Sequence, residues 1–279
     1  MKSHFKISLV LLASATLALS SCRKASTNYT QDASNQSLAE NTYNDVHNIS
    51  DQASSGTVAY KDAAEASVTS SAVVITDSIS SPGHYIITVD FGTTDVVCAD
   101  GRTRRGKIII NANGRYWATG TVITTTFDGY YVNDNQVTGT HIVTNAGNNS
   151  SGQPTFNVSV NGSIILANNA GTITWVSTRT RTYIAGYTTP GYLFDDKIQV
   201  TGSANGTTAN GDVFSATIGT PLLRDFTCPL GSGRWHFVEG TIALNITGKS
   251  PVSIDYGNGS CDNEATATLN GHTYTFILP

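Results

Sequence analysis

From residue 66 onward the chain alternates. Tyr85, Ile87, Val89 and Phe91 fall on one face of an extended segment. So do Phe156, Val158 and Val160, then Ile242, Leu244 and Ile246, then Tyr274, Phe276 and Leu278, with Thr, Ser and Asn at most positions between. Strand side chains point to opposite faces in turn, so a period of two marks strands with one buried and one wet face, the habit of antiparallel sheets. Asn-Gly starts at residues 113, 161, 205, 210, 258 and 270, and Asp-Gly at 100 and 128. These pairs accept two positive φ angles and close type I′ hairpins, which predicts roughly 12 to 14 strands between residue 68 and the C-terminus. Glycine followed by Lys, Thr or Ser recurs at Gly106, Gly120, Gly139, Gly162, Gly171 and Gly240. The gaps are unequal, so these glycines start or bend strands in an irregular meander rather than mark a repeat array. With no helical period after residue 66, βαβ enzymes are excluded. The expected fold is all-β: one long antiparallel hairpin meander over 66–279, as a curved sheet or a two-sheet sandwich.

Upstream the pattern differs. Lys2 and Lys6 precede an apolar run from Ile7 to Leu19, and Leu19-Ser20-Ser21-Cys22 resembles the lipobox of a bacterial lipoprotein. Residues 1–21 then read as a lipoprotein signal peptide rather than a transmembrane helix, with Cys22 lipidated and first in the mature chain. Two or three acyl chains make a stable anchor. Residues 22–37 are almost wholly polar and predict a flexible tether. Over 38–55, Leu38, Ala39, Tyr43, Val46, Ile49 and Ala53 recur at three- and four-residue spacing, predicting a short amphipathic helix. Its other face carries Glu40, Asp45 and Asp51, unsuited to a membrane surface, so it should pack on the domain or on a partner. The residues after Cys22 lack an acidic export run, which favours an outer-membrane lipoprotein facing the periplasm over a surface-exposed one.

The chain carries a formal charge of −4, and loss of Lys2 and Lys6 makes it more negative, which argues against nucleic acid as a partner. Arg102, Arg104, Arg105 and Lys107 follow Asp100-Gly101 and read as a charged, solvated turn entering a strand. Cys98, Cys228 and Cys261 remain beside Cys22. Their spacing does not suit zinc, exported compartments oxidise, and Cys228–Cys261 is the first choice of disulfide because both lie in the last third of the chain.

Several strings carry a family likeness. Ile87-Thr88-Val89-Asp90-Phe91-Gly92, Cys98 through Ile108, Tyr131-Val132-Asn133-Asp134, and Asp255 through Asn263 resemble an uncharacterised Bacteroidetes-type all-β outer-membrane lipoprotein family, over most of residues 66–279. The resemblance implies an envelope location and no particular activity. Asp77-Ser78-Ile79 is similar to the O-glycosylation acceptor of such bacteria, which makes Ser78 a candidate modification site.

Catalytic signatures are missing. The sequence has no G-x-S-x-G, no H-E-x-x-H and no histidine pair at metal-ligand spacing. Its histidines are scattered singly, and its glutamates are Glu40, Glu65, Glu239 and Glu264. A glycosidase needs two flanking carboxyls, and no aspartate pair stands out. Asp255, Asn258, Asp262 and Asn263 could offer oxygen ligands to calcium, but Asx side chains of a tight hairpin bond their own backbone just as readily. No cofactor or metal is therefore expected, and no catalytic residue is assigned. Tyr116, Trp117, Tyr130, Tyr131, Trp175, Tyr183, Tyr187, Tyr192, Phe194 and Trp235 could stack against sugar rings or fill the core. Tyr187 and Tyr192, between Gly186 and the segment around Pro190-Gly191, are the least easily explained as core. The expected function is that of a lipid-anchored envelope protein with a non-catalytic site for a glycan, lipid or protein partner. The alternatives are a periplasmic hydrolase with an unrecognised carboxylate site and a purely structural envelope protein.

Overall fold

The computed structural model describes residues 13–55, 74–81, 83–98, 100–189, 192–229 and 236–278. One helix, α1 (Ala13–Ser55), precedes fifteen strands: β1 (Val74–Ser81), β2 (His84–Asp90), β3 (Val96–Val97), β4 (Thr103–Ala112), β5 (Val122–Val132), β6 (Asn135–Asn148), β7 (Pro154–Ile165), β8 (Thr172–Ala185), β9 (Lys197–Thr207), β10 (Val213–Ile218), β11 (Leu222–Asp225), β12 (Phe237–Ile246), β13 (Val252–Asn258), β14 (Glu264–Leu269) and β15 (His272–Ile277). All belong to one antiparallel sheet that follows chain order from β1 to β15. Short β3 pairs with β4, while β10 and β11 together fill the place between β9 and β12. The fold is all-β with a single N-terminal helix.

The sheet curls around α1. The helix touches β2 and β4 near one edge, β8 in the middle, and β13, β14 and β15 at the other edge. Its Ala39, Tyr43, Val46 and Ile49 join the inward residues of the sheet in one core. Between Asp32 and Gln52 only Ser34 and Leu38 are less than fully buried. The apolar stripe over 38–55 is present, but its polar face is buried as well, because the sheet supplies polar and charged side chains opposite it.

Three expectations change. Segment 22–37 is not a tether: it is helical and continuous with the rest of α1, which runs for 43 residues. Nor do all the Asn-Gly and Asp-Gly pairs turn corners. Asn270-Gly271 does so with both φ angles positive, but the β5–β6 hairpin is closed by Asn133-Asp134, also with both positive. Asn161-Gly162, Asn205-Gly206 and Asp128-Gly129 lie inside β7, β9 and β5. A Cβ on Gly162 would strike the Tyr43 hydroxyl and the Thr138 carbonyl, so this glycine makes room for α1. Finally, Arg102 and Arg104 face inward and are buried, whereas Arg105 and Lys107 face out onto Asp95, Asp134 and Asp90.

Candidate functional site

Alternation along β8 sets the interior. Ile173, Trp175, Ser177, Arg179, Arg181 and Tyr183 occupy its buried face in turn. Arg179 grips Glu40 of α1 with a two-bonded fork, Nε to Oε1 at 3.0 Å and Nη2 to Oε2 at 2.5 Å. Arg181 donates from Nη1 to the Asn44 side-chain oxygen. Farther round the sheet, Arg104 reaches Asp45 at 2.7 Å and Asp100 at 2.6 Å, and Arg102 reaches Asp45 at 3.1 Å. Burial pushes the Asp45 carboxyl up, but Arg104 and Arg102 outweigh it and hold the group below the usual carboxylate range. At the N-terminal end of the buried segment, Asp32 takes a 2.6 Å bond from Lys249, which also reaches Asp212 at 2.8 Å. The helix is thus fastened by charge between Asp32 and Asp45.

The opposite end of the sheet, at the C-terminus of α1, has a different character. Asp51 accepts a 2.7 Å bond from the Tyr183 hydroxyl, and Ser50 pairs with Thr125 at 3.0 Å. Tyr116 and Trp117 come from the β4–β5 loop, which is held by Asn145 of β6 through a 3.0 Å bond to the Tyr116 carbonyl. The Trp117 ring meets Tyr183 edge-on at 5.4 Å and Tyr116 at 5.1 Å. Directly after β8, the loop before β9 carries Tyr187, Tyr192, Asp195 and Asp196. Asp195 accepts a 2.6 Å bond from Thr189. Burial, then the neighbouring charges of Asp51 and Asp195, push Asp196 up to about 8. Burial likewise raises Asp51, to about 6, against the opposing hydrogen bond from Tyr183.

The aromatic residues divide. Tyr116, Tyr130, Trp175 and Tyr183 are buried core, Tyr187 is half-buried against that core, and Trp235 lies outside the described residues. Trp117 is 36% exposed and Tyr192 57% exposed, so the two rings open to solvent belong to loops at the same end. Tyr131 lies under Arg105, whose guanidinium sits 4.0 Å from the ring centre. Cys228 and Cys261 form a disulfide, and Cys98 is a buried free thiol. Ser78 is exposed on β1. The oxygens of Asp255, Asn258 and Asp262 accept from the backbone of Gly257, Ser260 and Glu264, as Asx turns do. Cys22 lies within α1, and residues 1–12 of the expected signal segment fall outside the described residues.

The buried arginines escape a reading that equates alternation with apolar residues. Their signal is in the sequence all the same: Arg179 and Arg181 share the parity of Trp175 and Tyr183 on one strand. No family model, curated protein or solved structure matches this chain.

Proposed function

We propose that this chain is a bacterial envelope lipoprotein, anchored through Cys22, and that it binds a glycan without transforming it. The carrying observation is the placement of the exposed Trp117 and Tyr192 rings on loops at one end of the sheet, together with the half-buried Asp195 of the Tyr192 loop. Sugar rings stack their apolar faces on aromatic side chains, and carboxyl groups take up their hydroxyls. The anchor would lie at the other end, since Cys22 precedes the buried part of α1. Anchoring rests on the lipobox tetrad and on the positive and apolar stretches before it.

A glycan array probed with soluble residues 23–279 tests the binding. Trp117→Ala and Tyr192→Ala should each weaken any hit at least tenfold while leaving the thermal midpoint in place. An array without hits, or hits indifferent to both substitutions, defeats the reading. Incorporation of labelled palmitate that disappears in Cys22→Ala tests the anchor.

A hydrolase remains the second reading for one reason: Asp196 and Asp51 are neighbouring carboxyls whose affinities for protons differ, the relation found between a general acid and its partner. Release of reducing ends from a bound oligosaccharide, lost in Asp196→Asn, would replace the first reading with the second.

A further inference from the structure

Between α1 and the middle of the sheet lies a cavity lined by Asn44, His47, His141, Ser177, Arg179 and Arg181, among others. The space within is small, with room for a water or an ion of similar size. Its lining includes two guanidiniums and one carboxylate, Glu40. That carboxylate is committed: both its oxygens are taken by the Arg179 fork. Arg181 is 2% exposed. One of its nitrogens bonds the neutral Asn44 side chain, while Nε and Nη2 have no partner among the described residues. Both ring nitrogens of His47 also lack a partner among the described residues, and the His141 ring stands edge-on to it at 5.4 Å.

A buried charge without a counter-charge is among the costliest groups a protein can hold. Asp51, which acts on Arg181 across space, is turned to the Tyr183 hydroxyl, and Arg224 adds further positive potential. Burial and Arg181 hold both imidazoles far below their usual range, so they are neutral. Each therefore keeps one N–H to donate. A water could accept some of these bonds but would bring no negative charge beside Arg181.

We propose that this cavity binds a monatomic anion, chloride in physiological solution, which accepts hydrogen bonds from Arg181 and His47 and fastens the middle of α1 to β8. Binding to the folded state alone raises stability with ligand concentration. The thermal midpoint of residues 23–279 should therefore rise by several degrees between sodium gluconate and sodium chloride at equal ionic strength, along a saturating curve. Arg181→Gln removes the charge that recruits the ion and should abolish the chloride-specific rise whatever the variant's own midpoint. Should Arg181→Gln fail to fold, crystals of the unaltered protein grown in sodium bromide decide the matter: an anomalous peak beside Arg181 supports the site. Water density there, with bromide peaks confined to the surface, overturns it. Equal midpoints in gluconate and chloride likewise overturn it.

Discussion

Glu40 and Arg179 are 4% and 5% exposed at the side chain, and neither can shed its charge into solvent. Removing one member of such a pair strands the other in a medium that solvates it badly, at a cost of about 3–5 kcal/mol. Glu40→Gln keeps shape and polarity while deleting the charge, so urea denaturation should show a loss in that range with an unchanged slope. A loss below about 1 kcal/mol would place the pair in the weak, solvent-screened class. Asp196 makes the opposite kind of contribution. Its pKa in the folded state, about 8, lies above its ordinary value of 3.8, so between those pH values the folded protein holds a proton that the unfolded chain has released. The native state is then the one binding more protons, and stability drawn from this group falls as pH rises from about 4 to about 8. Asp196→Asn has no proton to lose. Its stability relative to the unaltered protein should climb steadily across that window in denaturation curves at stepped pH, and a flat difference would refute the assignment. At this scale the sequence was half legible. Period two marks Arg179 and Arg181 as inward without saying what neutralises them, because Glu40 and Asn44 lie some 140 residues away on a helix whose docking no local pattern records.

At the scale of elements, alternation discloses the strands and the apolar stripe over 38–55 discloses the second half of α1, whereas the polar stretch before it reads as something other than helix. Alternation needs only nearest neighbours, so Tyr85 to Phe91 and Ile242 to Ile246 disclose their strands directly. Asn-Gly is ambiguous in a way that only three dimensions resolve. At 270 it supplies the two positive φ angles of a turn, whereas at 161 it supplies the absence of a Cβ beneath Tyr43. Segment 22–37 reads as a tether because polar composition is ordinarily the mark of a chain with nothing to bury. Within a sheet whose concave face carries arginines, tyrosines and threonines, Ser37 finds Tyr256 at 3.2 Å and Asp32 finds Lys249. Helix and sheet are each polar at their contact, and each makes the other foldable. Gly162→Ala tests how closely they fit. The added methyl meets the backbone oxygen of Thr138 as well as the Tyr43 hydroxyl, and a backbone oxygen cannot yield by side-chain rotation. Overpacking of this kind costs roughly 1–3 kcal/mol. The loss should come with weaker amide-exchange protection around residue 43, and an alanine variant as stable as the parent would mean that α1 sits farther from β7.

For the molecule as a whole, α1 changes what an anchor at Cys22 would do. A flexible leash lets a domain roam, but a helix that enters the sheet at Asp32 is a post. From Cys22 to Asp32 it rises roughly 15 Å, at 1.5 Å per residue. The turns gathered at that end, β9–β10 with Asp212 and β12–β13 with Lys249, would then face the bilayer. The loops carrying Trp117 and Tyr192 would face away, toward whatever the protein binds. Dyes placed at Asn210 and at Ser151, both exposed and at opposite ends, report this orientation when the acylated protein is reconstituted in vesicles containing a lipid-borne quencher. Quenching should be strong at Asn210 and weak at Ser151, and five Gly and Ser residues inserted after Thr30 should equalise the two. Equal quenching without the insertion would mean that the helix before Asp32 gives way at the membrane. A protein that never floats with the vesicles would count against the lipid anchor instead, so the two failures are distinguishable. Such a post would also give a use to the ion pairs between Asp32 and Asp45. Were Cys22 the anchor, any load between bilayer and ligand would pass through α1, and its pairs with Lys249, Arg179, Arg102 and Arg104 stand where that load would tend to draw the helix out of the sheet.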